Sequence, residues 1–250
     1  MTSLAAIEAD DGTRLRASGY VPAVDGLRAL AVAAVVIFHF SRDSLRAGFL
    51  GVDVFFVVSG FLITRLLLRE IEGTGSIGLV SFWGRRARRL LPALAVMTVI
   101  VVIVSAIEFS DTEMHDIRAH ALGSLFYVAN WVFIHGDASY FATLGRPSPF
   151  LHTWTLAIEE QFYLLFPLVM LVFRRGAVRR PLVAAGVAVG LAAASAVWMA
   201  HLVEPHRDPS RAYFGSDAHA SGILIGVALG LLFAAGAVDR VRAHRARAAN

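Results

Sequence analysis

The sequence contains no cysteine and no lysine, and few of its residues are charged. Without cysteine the chain has no disulfides, no thiolate metal ligands and no cysteinyl acyl-enzyme. Charged residues make up 17% of the chain and hydrophobic residues 57%, whereas an average soluble domain is about a quarter charged. Together with a mean hydropathy of +0.64, this composition predicts an integral membrane protein.

The excess of basic residues does not indicate nucleic-acid binding. Every basic side chain is an arginine, and the arginines form clusters between apolar runs, as they do on the cytoplasmic side of membrane proteins. Residues 1–19 are polar, without the apolar core or cleavage site of a signal peptide. We therefore expect a cytoplasmic N-terminal tail on a multi-pass protein of the cell membrane, with the lipid bilayer as a partner and no nucleic acid.

The apolar segments predict an all-α polytopic bundle of about six to seven transmembrane helices. We place the membrane domain at residues 20–238 and a basic C-terminal tail at 239–250. The predicted spans lie at about 24–40, 49–68, 90–107, 148–173, 182–203 and 216–233, and Asp25 is expected to cap the first.

Residues 119–134 are ambiguous, because they are short for a span of roughly 20 residues. If they cross the membrane, Arg174, Arg175, Arg179 and Arg180 fall outside, against the positive-inside rule. If they do not cross, that cluster and Arg240, Arg242, Arg245 and Arg247 are all cytoplasmic. The non-spanning interpretation is favoured, although Arg42 and Arg46 lie outside in both schemes.

The first apolar helix carries two ionisable side chains, Arg28 and His39. They are eleven residues apart, which is about three turns and about 16 Å of rise, so both project from nearly the same face. Ionisable groups inside a span are costly and are functional candidates. The alternative is that Arg28 extends to the headgroups and His39 ends the helix near the other interface.

Glu159 and Glu160 are adjacent carboxylates within another apolar helix. His152 lies two turns before Glu159 and Tyr163 one turn after it, so the three share a face. A histidine and a carboxylate on one helix face suit proton transfer. The structural alternative pairs one glutamate with a buried arginine and leaves the other at an interface.

Two further segments allow both structural and functional interpretations. Asp53 near the outer end of the second span is explained as a helix-start residue, and Ser59 can bond to its own backbone. Ser59 has no adjacent base in the sequence, which argues against a nucleophile. The cluster Arg85, Arg86, Arg88 and Arg89 fits membrane topology and equally fits a clamp for phosphates.

With these segments in place, the chain resembles the acyltransferase-3 family of membrane O-acyltransferases, the OafA/YrhL-like proteins. Four motifs match in order: Arg28 with His39, GVDVFFVVSGFLIT at 51–64, FWGRRARRL at 82–90 and LHTWTLAIEEQFY at 151–163. Trp83 stands where tyrosine is common in the family, and His219 stands where arginine is frequent. The resemblance covers residues 20–233.

The resemblance implies an acyltransferase that moves an acyl group, often acetyl, from cytoplasmic acyl-CoA (acetyl-CoA) to a hydroxyl of an extracytoplasmic glycan or lipid-linked sugar. It implies that Arg28 and His39 are the essential catalytic pair. We expect His39 to be the general base for the acceptor hydroxyl or to carry the acyl group briefly, with Glu159 or Glu160 orienting or balancing the imidazole. The arginine cluster at 85–89 and Arg28 would bind the phosphates of the acyl donor at the cytoplasmic face, with no permanently bound cofactor and no metal.

Complete family domains usually have more spans than fit here, so the domain is expected to be shortened at its C-terminus. Two alternatives to the enzyme follow from the residues. One is an inactive remnant or a fragment of a longer chain. The other is a proton-coupled transporter, since intramembrane Arg, His and Glu also line proton paths.

Overall fold

The computed structural model of the protein describes residues 22–40, 45–136, 146–205 and 207–248. Within these ranges, the side chains of residues 22, 39, 46 and 237–248 are not described. The expected N-terminal tail at 1–19, Arg42 and the side chains of Arg46 and of the C-terminal arginines lie outside the described part.

Every regular element in the described ranges is helical, and no strand occurs there. The nine α-helices of these ranges are α1 (Pro22–Phe40), α2 (Gly51–Thr74), α3 (Leu79–Glu108), α4 (Asp111–Leu125), α5 (Ala129–His135), α6 (Thr153–Arg179), α7 (Pro181–Leu202), α8 (Ser210–Phe214) and α9 (Ala220–Ala248). A 3-10 turn at Arg46–Leu50 precedes α2. The chain divides into two compact units between Val58 and Ser59, within α2.

Four described helices are long and apolar enough to cross a membrane: Ala47–Thr74, Leu79–Glu108, Thr153–Arg179 and Pro181–Leu202. The apolar part of α9, Ala220–Gly236, is shorter, and α1 has 19 residues. The prediction of an all-α polytopic membrane protein is confirmed. The count of six to seven spans stays a prediction.

Two boundaries differ from the predicted ones. The first helix begins at Pro22, so Asp25 lies in its first turn rather than at the cap, because proline has a fixed φ that suits the first helical position. The basic cluster at 85–89 lies inside α3 rather than in a segment before it. Arginine is a good helix former, so the helix continues through the cluster.

The ambiguous segment 119–134 folds as two helices, α4 and α5, joined by a turn. Tyr127 in this turn has a left-handed φ of 56°. α4 has 15 residues and α5 has seven, and neither is among the helices long enough to span. The Ser124 hydroxyl at the end of α4 is 2.7 Å from that of Thr153, the first residue of α6.

In the first unit, the turn before α2 packs closely on α1. A Cβ at Gly51 would meet the backbone oxygen of Ala31, and the rings of Phe38 and Phe49 make an edge contact at 5.9 Å. Glycine lets the two backbones approach.

In the second unit, α2, α6, α7 and α9 share one apolar cluster that includes Leu67, Phe166, Ala188 and Leu231. A Cβ at Gly60 would overlap the backbone carbonyl oxygen of Ile223 in α9. The absence of side-chain atoms at position 60 therefore sets how closely α2 approaches α9.

Replacing Gly60 with alanine should destabilise the bundle by about 1–3 kcal/mol, because the methyl group meets rigid backbone. The matched control is Gly190→Ala in α7, where nothing lies within 4 Å of the added Cβ and alanine is the better helix former. Denaturant unfolding in detergent micelles measures both. Equal stability of the two variants would contradict the close approach at Gly60.

Candidate functional site

A polar layer crosses the apolar interior of the second unit. It consists of Ser59 from α2, Arg86 from α3, and Glu159, Glu160 and Tyr163 from α6. Polar groups in a membrane bundle are retained where they pair with one another. The layer therefore marks the candidate site.

Glu160 and Arg86 form a forked ion pair in this layer. Nε of Arg86 donates to both carboxylate oxygens at 3.1 and 3.2 Å, and Nη2 donates to Oε1 at 2.5 Å. The side chains are 28% and 11% exposed. The structural alternative, a glutamate paired with an arginine, thus applies to Glu160, and the fork fixes the orientation of both groups.

Tyr163 lies beneath the guanidinium of Arg86, whose Cζ is 3.5 Å from the ring centroid. The backbone carbonyl of Tyr163 is also held in place, because Pro167, four residues further on, cannot donate a helical hydrogen bond to it. The indole N–H of Trp83 donates to that carbonyl instead, at 3.1 Å. A proline inside α6 thus creates the acceptor that binds α3.

Glu159 accepts a hydrogen bond from the Ser59 hydroxyl. Tyr163 also lies within hydrogen-bonding reach of Ser59. The two residues are 100 positions apart, so no local pattern in the sequence indicates that Ser59 has a carboxylate beside it. The expectation that Ser59 bonds to its own backbone is replaced by a contact between helices.

The other three arginines of the cluster behave differently from Arg86. Arg85, Arg88 and Arg89 are exposed, and at 100° per residue they occupy an arc of about 100° on α3. They can donate to an anionic group together. The four-arginine clamp considered from the sequence therefore reduces to three exposed guanidiniums, with Arg86 held by Glu160.

The remaining predicted site residues are spread over both units. The Arg28 guanidinium lies 5.6 Å from the centroid of the Phe55 ring, and His39 is in α1 with its side chain outside the described part. Asp53 is in the first turn of α2. His152 is exposed at the N-cap of α6, about 10 Å along the axis from Glu159, so the pairing of these two stays a prediction.

A partly buried amide network, not predicted from the sequence, lies next to Glu160. Gln161 donates to the Tyr127 carbonyl at 2.8 Å and to Asn130 Oδ1 at 2.9 Å. Asn130 donates to Ser216 at 2.9 Å, and the Ser216 hydroxyl donates back to Gln161 at 2.6 Å. This closed ring joins α5, α6 and the segment before α9. The only sequence signal was Asn130 in an apolar run.

The Arg86–Glu160 pair also lines a cavity of about 290 Å³. Trp83, Leu91, Tyr127 and Leu164 form part of the remaining wall. Its surface is mainly apolar, as is usual for small-molecule sites.

Beyond the amide ring, the segment before α9 is held by Asp217. Arg211 donates to its two carboxylate oxygens at 3.1 and 2.8 Å, and the Trp198 indole donates at 2.9 Å. The hydrogen bonds from Arg211 lower the pKa of Asp217 to about 2, so this carboxylate stays charged at neutral pH. His219, which stands where arginine is frequent in the family that the chain resembles, is buried against the rings of Trp154 and Tyr213.

Comparison with known proteins identifies the family of the chain. A protein-family sequence model described as an acyltransferase domain matches residues 21–241. The chain belongs to the acyltransferase-3 family. No solved structure matches it.

Several curated relatives of this family member carry names of O-acetyltransferases. Peptidoglycan O-acetyltransferase OatA of Listeria monocytogenes is 48% identical over 86% of this chain and 34% of its own length. YrhL of Bacillus subtilis, a candidate peptidoglycan O-acetyltransferase, is 43% identical over 86% and 33%. A candidate O-acetyltransferase of Staphylococcus aureus is 42% identical over 88% and 36%. The chain thus matches about a third of the length of these relatives.

Breaking the ion pair should destabilise the bundle. Arg86→Ala leaves a largely buried carboxylate without its guanidinium, and we expect a loss of about 2–3 kcal/mol, below the 3–5 typical of a fully buried pair. The double variant Arg86→Met with Glu160→Gln should recover part of this loss. Arg85→Ala, at an exposed site, should stay within about 0.5 kcal/mol of the parent. Unfolding in detergent measures all three, and an equal effect of Arg85→Ala and Arg86→Ala would contradict the pairing.

Proposed function

We propose that the protein is a membrane O-acyltransferase. It moves an acyl group, acetyl in the simplest case, from cytoplasmic acyl-CoA to a hydroxyl of an extracytoplasmic glycan or lipid-linked sugar. Membership of the family and the O-acetyltransferase names of its relatives support the reaction class. The glycan acceptor is suggested by the word peptidoglycan in two of those names.

The observation that carries the proposal is the polar layer of Ser59, Arg86, Glu159, Glu160 and Tyr163. Carboxylates, a hydroxyl and a guanidinium held between apolar helices are groups that transfer protons and stabilise charge in an acyl transfer. Placing them inside a bundle is costly, so a structural role alone would be served by apolar residues.

In this proposal the acyl donor approaches from the cytoplasmic side, where the N-terminus also lies. The three exposed guanidiniums of Arg85, Arg88 and Arg89 bind its phosphates. His39 accepts the proton of the acceptor hydroxyl, and Arg28 acts with it as the second member of the pair. Glu159 and Glu160 act in catalysis as members of the polar layer. Glu160 does so through its ion pair with Arg86.

His39→Ala should lower acyl transfer about 100- to 10,000-fold, the usual contribution of a general base. The assay supplies labelled acyl-CoA to membranes that contain the protein and measures label in the envelope glycan fraction. His135→Ala is the control, because His135 is exposed and bonded to its own helix. Unchanged transfer in His39→Ala at equal expression would falsify the role of His39.

The three exposed arginines of α3 allow a separate prediction about donor binding. Arg88→Gln or Arg89→Gln should raise KM for acyl-CoA about tenfold with little change in kcat, because one charge-assisted bond to a phosphate is lost. Arg118→Gln, at an exposed position of α4, is the control and should leave KM unchanged. An effect on kcat alone would argue against phosphate binding at this face.

A further inference from the structure

We propose that Ser59 is a catalytic nucleophile that carries the acyl group between donor and acceptor, with Glu159 as its base. The inference rests on the proposed acyl transfer and adds a covalent step to it. The sequence argued against this role because no base is adjacent to Ser59, and the fold supplies one from α6.

The first argument is the geometry of the pair. A serine hydroxyl is a weak nucleophile until a base takes its proton, and the sign of such activation is a hydrogen bond from nucleophile to base. Ser59 Oγ donates its proton to Oε1 of Glu159. Both side chains are partly exposed rather than sealed in the core.

The second argument is that rigid neighbours hold the pair. Gly60, the next residue, packs its backbone against Ile223, which fixes α2 where Ser59 projects. On the other side, Tyr163 is within hydrogen-bonding reach of Ser59 and is fixed through Trp83. Packing of this kind keeps a nucleophile and its base in a reactive geometry.

The third argument is the charge beside the pair. Arg86 stacks on Tyr163 and interacts electrostatically with Glu159. Acyl transfer from a thioester develops negative charge on the carbonyl oxygen, and a fixed cation nearby stabilises it. The forked bond to Glu160 holds the guanidinium, so little reorganisation is needed.

The two steps balance as follows. Ser59 Oγ gives its proton to Glu159 and forms a bond to the acyl carbon, the carbon–sulfur bond breaks, and the CoA thiolate leaves. The acceptor hydroxyl then gives its proton to His39, its oxygen bonds to the acyl carbon, and the Ser59 ester bond breaks. Glu159 returns the first proton to Ser59. Each turnover therefore leaves one proton on His39 and releases one CoA thiolate, so the total charge is unchanged.

The sequence allows a direct test, because trypsin releases Ser59 and His39 on different peptides. Peptide 47–65 contains Ser59 and Thr64 as its only hydroxyl side chains, and peptide 29–42 contains His39. The full chain in reconstituted vesicles is mixed with labelled acetyl-CoA without acceptor, quenched in acid, digested and analysed by mass spectrometry. We expect one acetyl group on peptide 47–65, located at Ser59 by fragmentation.

Four variants separate chemistry from folding. Ser59→Ala should lose the label, whereas Ser105→Ala, a buried serine of α3 outside the layer, should keep it. Glu159→Gln should form the label about 100-fold more slowly, as expected for a lost base. Ser59→Cys introduces the only cysteine of the chain, so the label should become a thioester that neutral hydroxylamine removes. Unfolding in detergent confirms that each variant is folded.

The outcomes distinguish this inference from the function on which it rests. Label on peptide 29–42, label that persists in Ser59→Ala, or acyl transfer by the parent chain with no label on peptide 47–65 would each overturn Ser59 as the carrier and leave the acyltransferase intact. No consumption of acetyl-CoA by the parent chain, with and without a glycan acceptor, would overturn the proposed function and this inference with it.

Discussion

The structure depends on the pairing of Arg86 with Glu160. A carboxylate and a guanidinium that are largely removed from water keep their charges only if each satisfies the other. The forked geometry does this for α3 and α6 at one point. Tyr163 stacks below the guanidinium, so the pair also fixes the ring beside Ser59. The remaining contacts of the layer follow from this arrangement.

Small residues and prolines make the layer possible, although they carry no chemistry. Gly60 lets α2 approach α9 to backbone contact. Pro167 removes one helical hydrogen bond and leaves the Tyr163 carbonyl to Trp83. In an apolar solvent every backbone group must find a partner. A missing N–H in one helix thereby becomes a specific bond between two helices.

The amide ring of Gln161, Asn130 and Ser216 fixes the other side of Glu160. It holds the turn between α4 and α5, where Tyr127 has a positive φ. A left-handed conformation is unfavourable for a tyrosine and persists only when its surroundings determine it. Here the bond from Gln161 to the Tyr127 carbonyl helps to do so.

Much of the fold could be predicted from the sequence. Apolar runs separated by arginine clusters gave the helical membrane class and most helix positions, because hydropathy and length are local properties. The start of α1 at Pro22 and the continuation of α3 through the arginines were missed, since helix ends depend on cap geometry. The site was found only in outline. Glu159 and Glu160 stood out as carboxylates in an apolar helix and Arg86 as one of a basic cluster, but the sequence did not indicate that Arg86 pairs with Glu160 or Ser59 with Glu159.

The sequence by itself determined that this chain is a helical membrane protein and which residues are too polar for their surroundings, because both follow from the transfer of side chains out of water. Only the tertiary structure decided that Arg86 forms an ion pair with Glu160, that Ser59 forms a hydrogen bond with Glu159, and that three arginines remain exposed. Those pairings join residues 74 and 100 positions apart. They are set by how helices pack, which no local pattern in the sequence encodes.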